Sequence, residues 1–519
     1  MYVLSFDVEE FKQAKFKVSK PLALIALMFI LGYIALGFWA LLPVIENLGI
    51  VLLLLSIVPL PILLQIIIFP LVFILLGFGL SLIILHVFRR HGMLFMWFGV
   101  LANIVIGIIL ILLSVYLGFP IFSLIVLGGV VFWIAMPLVF ILIFPGIVER
   151  AARFVEMGSN LIIEEQSIIV PTIFSEVMIV YLAISSAGIW ARLSLTPGLL
   201  SSSLPGFDPF VMQAANAIII TVLLSPVYWF VFNFFYFFFM SMNVGITYMW
   251  YRGVNPNFRD GVAVAFSRLS TIITFSLYAA LVQLLRVALK AFAQKLGVFR
   301  GPVEAASGFI GAVWRGINYF TLQAVVIEKE KAWDSIKRSF YMLVKYVPEV
   351  VTRELFFKGA HRFFALLSFS LGLGITLIIC HFIKADIALT IVAVTVAILA
   401  LWLPMNLVFK TLGVSYNTLV YAWALDQELN LEIPYRLPKV VKDALETIKK
   451  LPGVGEVWEQ LKLKREGENI CPICKQRIIR EAYRCQVCGR LVCKEHSRIR
   501  FGKIYCLECI DKEYGFKKL

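Results

Sequence analysis

Charge is scarce in this chain. Only 15% of its 519 residues are Asp, Glu, Lys or Arg, against about 25% in a soluble domain. Hydrophobic residues make up 61% and the mean hydropathy is +0.91, so a water-soluble globule is excluded and a bilayer is the expected solvent. Acidic residues are the scarcer sign, 32 against 47 basic ones. In a membrane protein that excess belongs in cytoplasmic loops and tails, where anionic headgroups attract it. Cysteine is almost absent before residue 470, with only Cys380 in that stretch, which excludes a disulfide framework there. No nucleophile–base pair, phosphate loop or His-Glu-x2-His motif is present. The chain therefore gives no handle on an enzyme. No cleavable signal peptide is apparent, because residues 1–20 are charged and the apolar run after them is long enough to span.

The positive charges set the expected topology. Lys12, Lys15, Lys17 and Lys20 precede a first span at about Pro21–Leu42, which puts the N-terminus inside. A turn is expected at Glu46 and Asn47. Gly49–Phe88 holds no charged residue, and about 20 residues cross a bilayer. Arg89 and Arg90 should again be inside, so one net crossing lies between, with Pro59 and Pro61 breaking a half-helix from a full span. Met93–Tyr116 and Ile121–Phe144 form a hairpin that returns inside at Glu149, Arg150 and Arg153. Ile168–Trp190 spans outward to a Ser/Pro/Gly loop at 192–209. A second uncharged run, Phe210–Tyr251, is broken by Pro226 and ends inside at Arg252 and Arg259.

Leu269–Leu285 and Gly308–Ile327 are apolar, but Arg286, Lys290, Lys295 and Arg300 lie between them. Both span or neither does, so eight or ten spans are expected with the same parity. In the segment 331–347, Trp333, Ile336, Phe340, Leu343 and Val344 share one face and lysines the other, which reads as an interfacial helix. Phe363–Ile383 and Ile387–Phe409 make the last hairpin. Ionisable residues within apolar runs are functional candidates by default. Glu176, well inside a span, comes first, with Asn216, Asn233, Asn243 or Arg315 as possible donors. Arg315 and Glu328 follow as a second candidate intramembrane polar site. The bland alternative is a satisfied polar group between helices.

The last fifty residues differ in kind. They contain Cys471-x2-Cys474, Cys485-x2-Cys488, Cys493-x2-His496 and Cys506-x2-Cys509. Eight ligands close two tetrahedral zinc sites and leave no open position for water, so the sites are structural. Only four residues separate Cys488 from Cys493. That favours interleaving: Cys471, Cys474, Cys493 and His496 on one ion, with Cys485, Cys488, Cys506 and Cys509 on the other. Zinc thiolates persist where thiols stay reduced, which places the tail in the cytosol. The tail is basic as well (Lys475, Arg477, Arg480, Arg484, Arg490, Lys494, Arg498, Arg500, Lys503), as a patch for acidic headgroups would be, or as a solvated face offsetting the thiolates. Few aromatics interleave, which argues against nucleic acid.

The run from Cys485 through Gly489 and Cys493 to His496, closing on Tyr505, Cys506 and Cys509, resembles cross-brace zinc fingers of the FYVE and RING type. The resemblance implies a treble-clef-like fold and that metal pairing. It does not extend to their activities: Glu481–Arg484 stands where a FYVE domain carries its di-histidine patch, and the Cys-x-His pair of a RING is absent. A second resemblance covers about residues 262–425. Trp314, Asn318, Tyr319 and Phe320, then Glu328, then Ala332–Ser339 resemble the signature of an uncharacterised multi-pass membrane family of archaea and bacteria. It implies architecture and no activity.

The expected fold is thus an all-α polytopic membrane bundle with a small zinc domain. Residues 1–20 form a cytosolic interfacial segment, 21–430 the membrane domain, 431–466 a basic linker and 467–519 the two-zinc finger. The expected role is a plasma-membrane scaffold or regulator that recruits a protein or acidic headgroups. The alternative is a transporter or lipid-handling protein whose finger regulates it.

Overall fold

The computed structural model describes residues 8–13, 20–57, 60–116, 142–143, 145–195, 209–295, 300–382 and 387–429, together with four short strands between 482 and 506. The chain divides into two compact units, Met1–Ala424 and Leu425–Leu519.

The described residues of the first unit are mainly helical. In chain order its helices are α1 (Val8–Lys12), α2 (Lys20–Ile57), α3 (Leu60–Arg90), α4 (Gly92–Tyr116), α5 (Pro145–Glu164), α6 (Ile169–Leu195), α7 (Pro209–Tyr251), α8 (Phe258–Ser267), α9 (Leu269–Lys295), α10 (Arg300–Ile317), α11 (Thr321–Ile327), α12 (Ala332–Lys345), α13 (Val347–Phe382) and α14 (Ile387–Leu429), which runs on past Ala424. Among the described residues, seven helices are long and apolar enough to cross a membrane, with windows at Leu24–Pro43, Ile68–Arg90, Gln166–Leu193, Ile219–Tyr251, Leu269–Ala291, Thr352–Phe382 and Thr390–Glu428. Their outer faces are lined by exposed apolar side chains, such as Met28, Leu75, Leu223 and Ile378. Such a surface is stable only against acyl chains. The protein is a multi-pass integral membrane protein.

Several hydroxyls inside the apolar helices are satisfied locally. Ser81, Ser276, Ser368, Thr411 and Thr418 each donate to the carbonyl four residues back, so each costs little in an apolar setting. Helices also meet where a residue is small. A Cβ on Gly92 would stand 2.2 Å from the Ala152 carbonyl oxygen, so α4 starts hard against α5. There the Glu156 carboxylate accepts from the Gly92 amide at 2.9 Å, occupying an orphan donor at the positive end of α4. Rings fill the space between α3, α4, α13 and α14: Phe95 lies 4.9 Å from Phe88 and 4.6 Å from Phe357, and Phe364 lies 4.9 Å from Phe409.

Several helices differ from their sequence reading. The helix α2 runs through Glu46 and Asn47 without a turn as far as Ile57, and α3 is described from Leu60; Pro59, where a break was expected, lies outside the described residues. Pro226 is accommodated inside one 43-residue helix, α7. Gly308–Ile327 is not one segment, because α10 ends at Ile317 and α11 begins at Thr321. The α9–α10 pair is nonetheless a hairpin: Ser307 Oγ donates to the Arg286 carbonyl, and Phe275 stacks on Trp314. Of the two, α9 alone is among the described helices long and apolar enough to cross a membrane. In α12, Ile336 turns into the bundle while Trp333, Phe340 and Val344 stay exposed. The expected span Ile121–Phe144 and the loop 192–209 lie mostly outside the described residues.

The second unit contributes β1 (Ala482–Arg484), β2 (Leu491–Cys493), β3 (Ser497–Arg500) and β4 (Lys503–Cys506). They form two antiparallel hairpins, with Ala482 opposite Cys493 and Ser497 opposite Cys506.

Candidate functional site

Two polar assemblies stand out against the apolar bundle. The first lies among α6, α7 and α14. Glu176 sits about 15 Å along its apolar window, at 1.5 Å per residue from Gln166. Its carboxylate accepts from Lys410 Nζ at 2.6 Å, and both side chains are 21% exposed. The ammonium also lies 4.9 Å from the centre of the Tyr236 ring. One turn toward α5, a hydroxyl chain is fully buried. Asn243 Nδ2 donates to Thr172 Oγ1 at 2.8 Å, and Thr172 and Thr411 are 2.8 Å apart. Thr411 spends its hydrogen on the Leu407 carbonyl, so Thr172 must donate to Thr411. Thr247 donates onward to Ser415 at 3.4 Å. Asn243 Oδ1, Ser175 Oγ and Ser159 Oγ are buried without a hydrogen-bond partner.

The sequence proposed Asn216, Asn233, Asn243 or Arg315 as donors to Glu176. The donor is Lys410. Reading the last span as ending at Phe409 left this lysine just beyond it, whereas α14 continues to Leu429. Asn233 spends its amide on the Trp229 carbonyl, and Arg315 is exposed on α10.

The second assembly is the polar base where α7, α8, α9, α11, α12 and α14 end. Glu328, just past α11, accepts from Arg338 Nε at 2.8 Å and from the Tyr421 hydroxyl. It is not joined to Arg315. Around it the signature residues act as a brace. Asn318 donates to the Trp314 carbonyl at 2.9 Å and accepts from Thr321 at 2.9 Å. The Phe320 amide donates to Ser339 Oγ at 2.8 Å. These bonds close the turn between α10 and α11 and fix α12 beneath it.

The base also holds the N-terminal segment. Lys12 pairs with Asp260 at 2.7 Å, and Asp260 itself completes the capping box of α8 with Asn257. The hydrogen bond from Lys12 to Asp260 raises the lysine above its ordinary value. Phe11 is 5% exposed and packs 5.3 Å from Tyr248. Arg268 is 3% exposed and donates to the Phe11, Gln13 and Val326 carbonyls. Nothing in the sequence flagged Arg268, which lies at the start of a span and reads as an ordinary inside charge.

Among the described residues no group of three or more His, Cys, Asp or Glu side chains gathers as a metal site requires. Most of the tail's ligand positions (Cys471, Cys474, Cys485, Cys488, His496 and Cys509) fall outside the described residues; Cys493 and Cys506 are the last residues of β2 and β4. Cys485 and Cys488 lie in sequence between the paired strands β1 and β2, and β1 lies against β4, which ends at Cys506.

Residues 217–430 match a family described as a family of unknown function, DUF6159. The matched region runs from within α7 to the end of α14, so it contains the whole Glu328 brace and Lys410 but not Glu176 or α1. No curated protein matches the chain.

Proposed function

We propose that the chain is a plasma-membrane anchor whose cytosolic tail is a two-zinc finger that recruits a protein or acidic headgroups. The observation that carries this reading is the eight-ligand tail following the last span. The hairpin that brackets the second knuckle and the contact of β1 with β4 are consistent with the second and fourth knuckles sharing an ion. Bound zinc would supply the folding energy that so short a segment cannot gain by burial. Closed sites offer no open coordination position, so the finger's role is recognition. The ion pair Glu176–Lys410 also favours an anchor, because the intramembrane carboxylate already has its counter-charge.

Metal analysis of the purified full-length chain tests this. Two zinc ions per chain are expected. Cys485→Ser and Cys506→Ser should each remove one and the same ion, and Cys471→Ser the other. One zinc or none, or loss of the same ion in Cys471→Ser and Cys485→Ser, defeats the assignment. Both termini are assigned to the cytosol on the positive charges of the base. A cysteine placed at Ser202 should then react with an impermeant thiol reagent from outside intact cells, and one placed at Lys337 should not. The reverse pattern inverts the protein.

A second reading, transport or lipid handling, rests on one feature: Glu176 and Lys410 remain partly accessible, and unpartnered Asn243 and Ser175 oxygens lie among the same helices. Substrate flux lost in Glu176→Gln while the protein stays folded and zinc-loaded would favour it over the anchor.

A further inference from the structure

Arg268 is an unusual buried cation. Its guanidinium donates to the Val326 carbonyl at 3.3 Å, the Gln13 carbonyl at 2.9 Å, Ser267 Oγ at 2.6 Å and the Phe11 carbonyl at 2.7 Å. Every acceptor is neutral. Burial alone lowers its pKa to about 10. A buried guanidinium ordinarily takes a carboxylate or phosphate, which matches its fork of donors. Two of the four acceptors belong to residues 8–13. A five-residue helix is far too short to persist alone, and α1 is held through the carbonyls at its C-terminal end. Arg268 takes those of Phe11 and Gln13, and Lys329 Nζ takes that of Glu10 at 2.6 Å. Lys329 adopts a left-handed backbone, φ 57°, a conformation that costs energy in a residue other than glycine. The strap thus offers carbonyl dipoles to a place built for an anion.

We propose that Arg268, with Lys329 on the neighbouring strap carbonyl, is a binding site for the phosphate of an anionic lipid headgroup, and that residues 8–13 are a displaceable strap over it. Lifting the strap frees donors on both terminal guanidinium nitrogens, the pair that grips two phosphate oxygens at once. The level is right for a headgroup. One apolar window begins at Leu269, the next residue, and another ends at Tyr251. The exposed face of α12 carries Trp333, Phe340 and Val344 with Lys337 among them, the composition of a helix lying at the membrane interface. Phe11 is the strap's apolar anchor, with its ring 5.5 Å from the guanidinium carbon. Free phosphate has the same chemistry but not this position, so the headgroup is the assigned ligand.

Hydrogen exchange of the 8–13 amides in the full-length chain tests the proposal. The protein is placed in nanodiscs of phosphatidylcholine, of phosphatidylcholine with phosphatidylglycerol, and of phosphatidylcholine with inorganic phosphate in the buffer. Exchange should be several-fold faster in the phosphatidylglycerol discs than in the other two. Lys329→Gln should blunt that response. Phe11→Ala, which loosens the strap and leaves both cations in the chain, should exchange fast in all three and should retain more phosphatidylglycerol through native mass spectrometry than wild type. Equal exchange in all lipids overturns the proposal. Opening by inorganic phosphate alone overturns the headgroup as its ligand. Arg268→Gln risks misfolding, and the two milder variants keep the test decisive.

Discussion

Removing one member of the Glu176–Lys410 pair should cost far more than removing both. Lys410→Met leaves a carboxylate about 15 Å into an apolar window. An unpaired charge at a helix centre costs about 2.5–3.5 kcal/mol on insertion scales, and breaking a fully buried pair costs about 3–5 kcal/mol. Here each side chain is 21% exposed, so solvent or headgroup relief brings the expected cost to about 2–3 kcal/mol. Glu176→Gln should cost a similar amount, since it strands the ammonium beside Tyr236. The double variant carries no charge at either position and should lie within about 1 kcal/mol of wild type, because a neutral replacement avoids the desolvation of both ions. Equilibrium unfolding in mixed micelles, read by tryptophan fluorescence, gives the four free energies. A coupling energy of about 2 kcal/mol or more is expected across the cycle. Costs that simply add would refute the reasoning, since they would mean the two groups are solvated independently.

Ser339→Ala should destabilise by about 1–3 kcal/mol, because it leaves the buried Phe320 amide without its acceptor; a change under about 0.5 kcal/mol in the same unfolding assay would remove Ser339 from the brace. The Lys12–Asp260 bond carries a pH dependence. A lysine raised above 10.5 in the folded state adds stability that is present below 10.5 and lost as pH rises through its folded value. Protection of the 8–13 amides, corrected for intrinsic exchange rates, should therefore fall above about pH 10.5 in wild type but show no such step in Asp260→Asn.

The sequence was most legible where physics is one-dimensional. A run of twenty apolar residues admits one solution in lipid, so the spans at 168–190 and 210–251 are close to α6 and α7, while 363–383 covers only the second half of α13. It was least legible where a proline or a charge could be tolerated or could terminate. Pro226 and Glu46 sit inside continuous helices because neighbouring turns still supply hydrogen bonds, and a long helix need not stop at the membrane surface. The same assumption hid Lys410. Glu176 stood out because it is the one charge in its run, but its partner is 234 positions away, and no local pattern encodes that distance. Likewise the Trp314–Ser339 signature marked a structured region, while its role emerged only when Phe320 and Ser339 proved to be bonded. Arg268 left no trace, since an arginine beginning a span on the positive side is what the charge rule expects.

The matched family region and the two polar assemblies overlap only in part, and that has an energetic consequence. Residues 217–430 include Lys410 and Arg268. The carboxylate that pairs with Lys410 comes from α6, and two of the four acceptors of Arg268 come from the strap at residues 8–13. A chain cut to the matched region would strand one ammonium in the apolar belt and leave one guanidinium half-satisfied, while the Glu328–Arg338–Tyr421 brace stayed whole. Each stranded cation costs on the order of 2–3 kcal/mol, a large share of a typical folding free energy of about 5–15 kcal/mol. The truncated chain should therefore be unstable in detergent. Lys410→Met introduced into it should recover stability, the opposite of its effect in the full chain. That reversal of sign separates a missing counter-charge from missing packing, because lost packing from α6 would not be repaired by deleting a charge. A truncated chain destabilised further by Lys410→Met would mean that the lysine finds another partner within 217–430, and that α6 contributes apolar contact rather than the carboxylate.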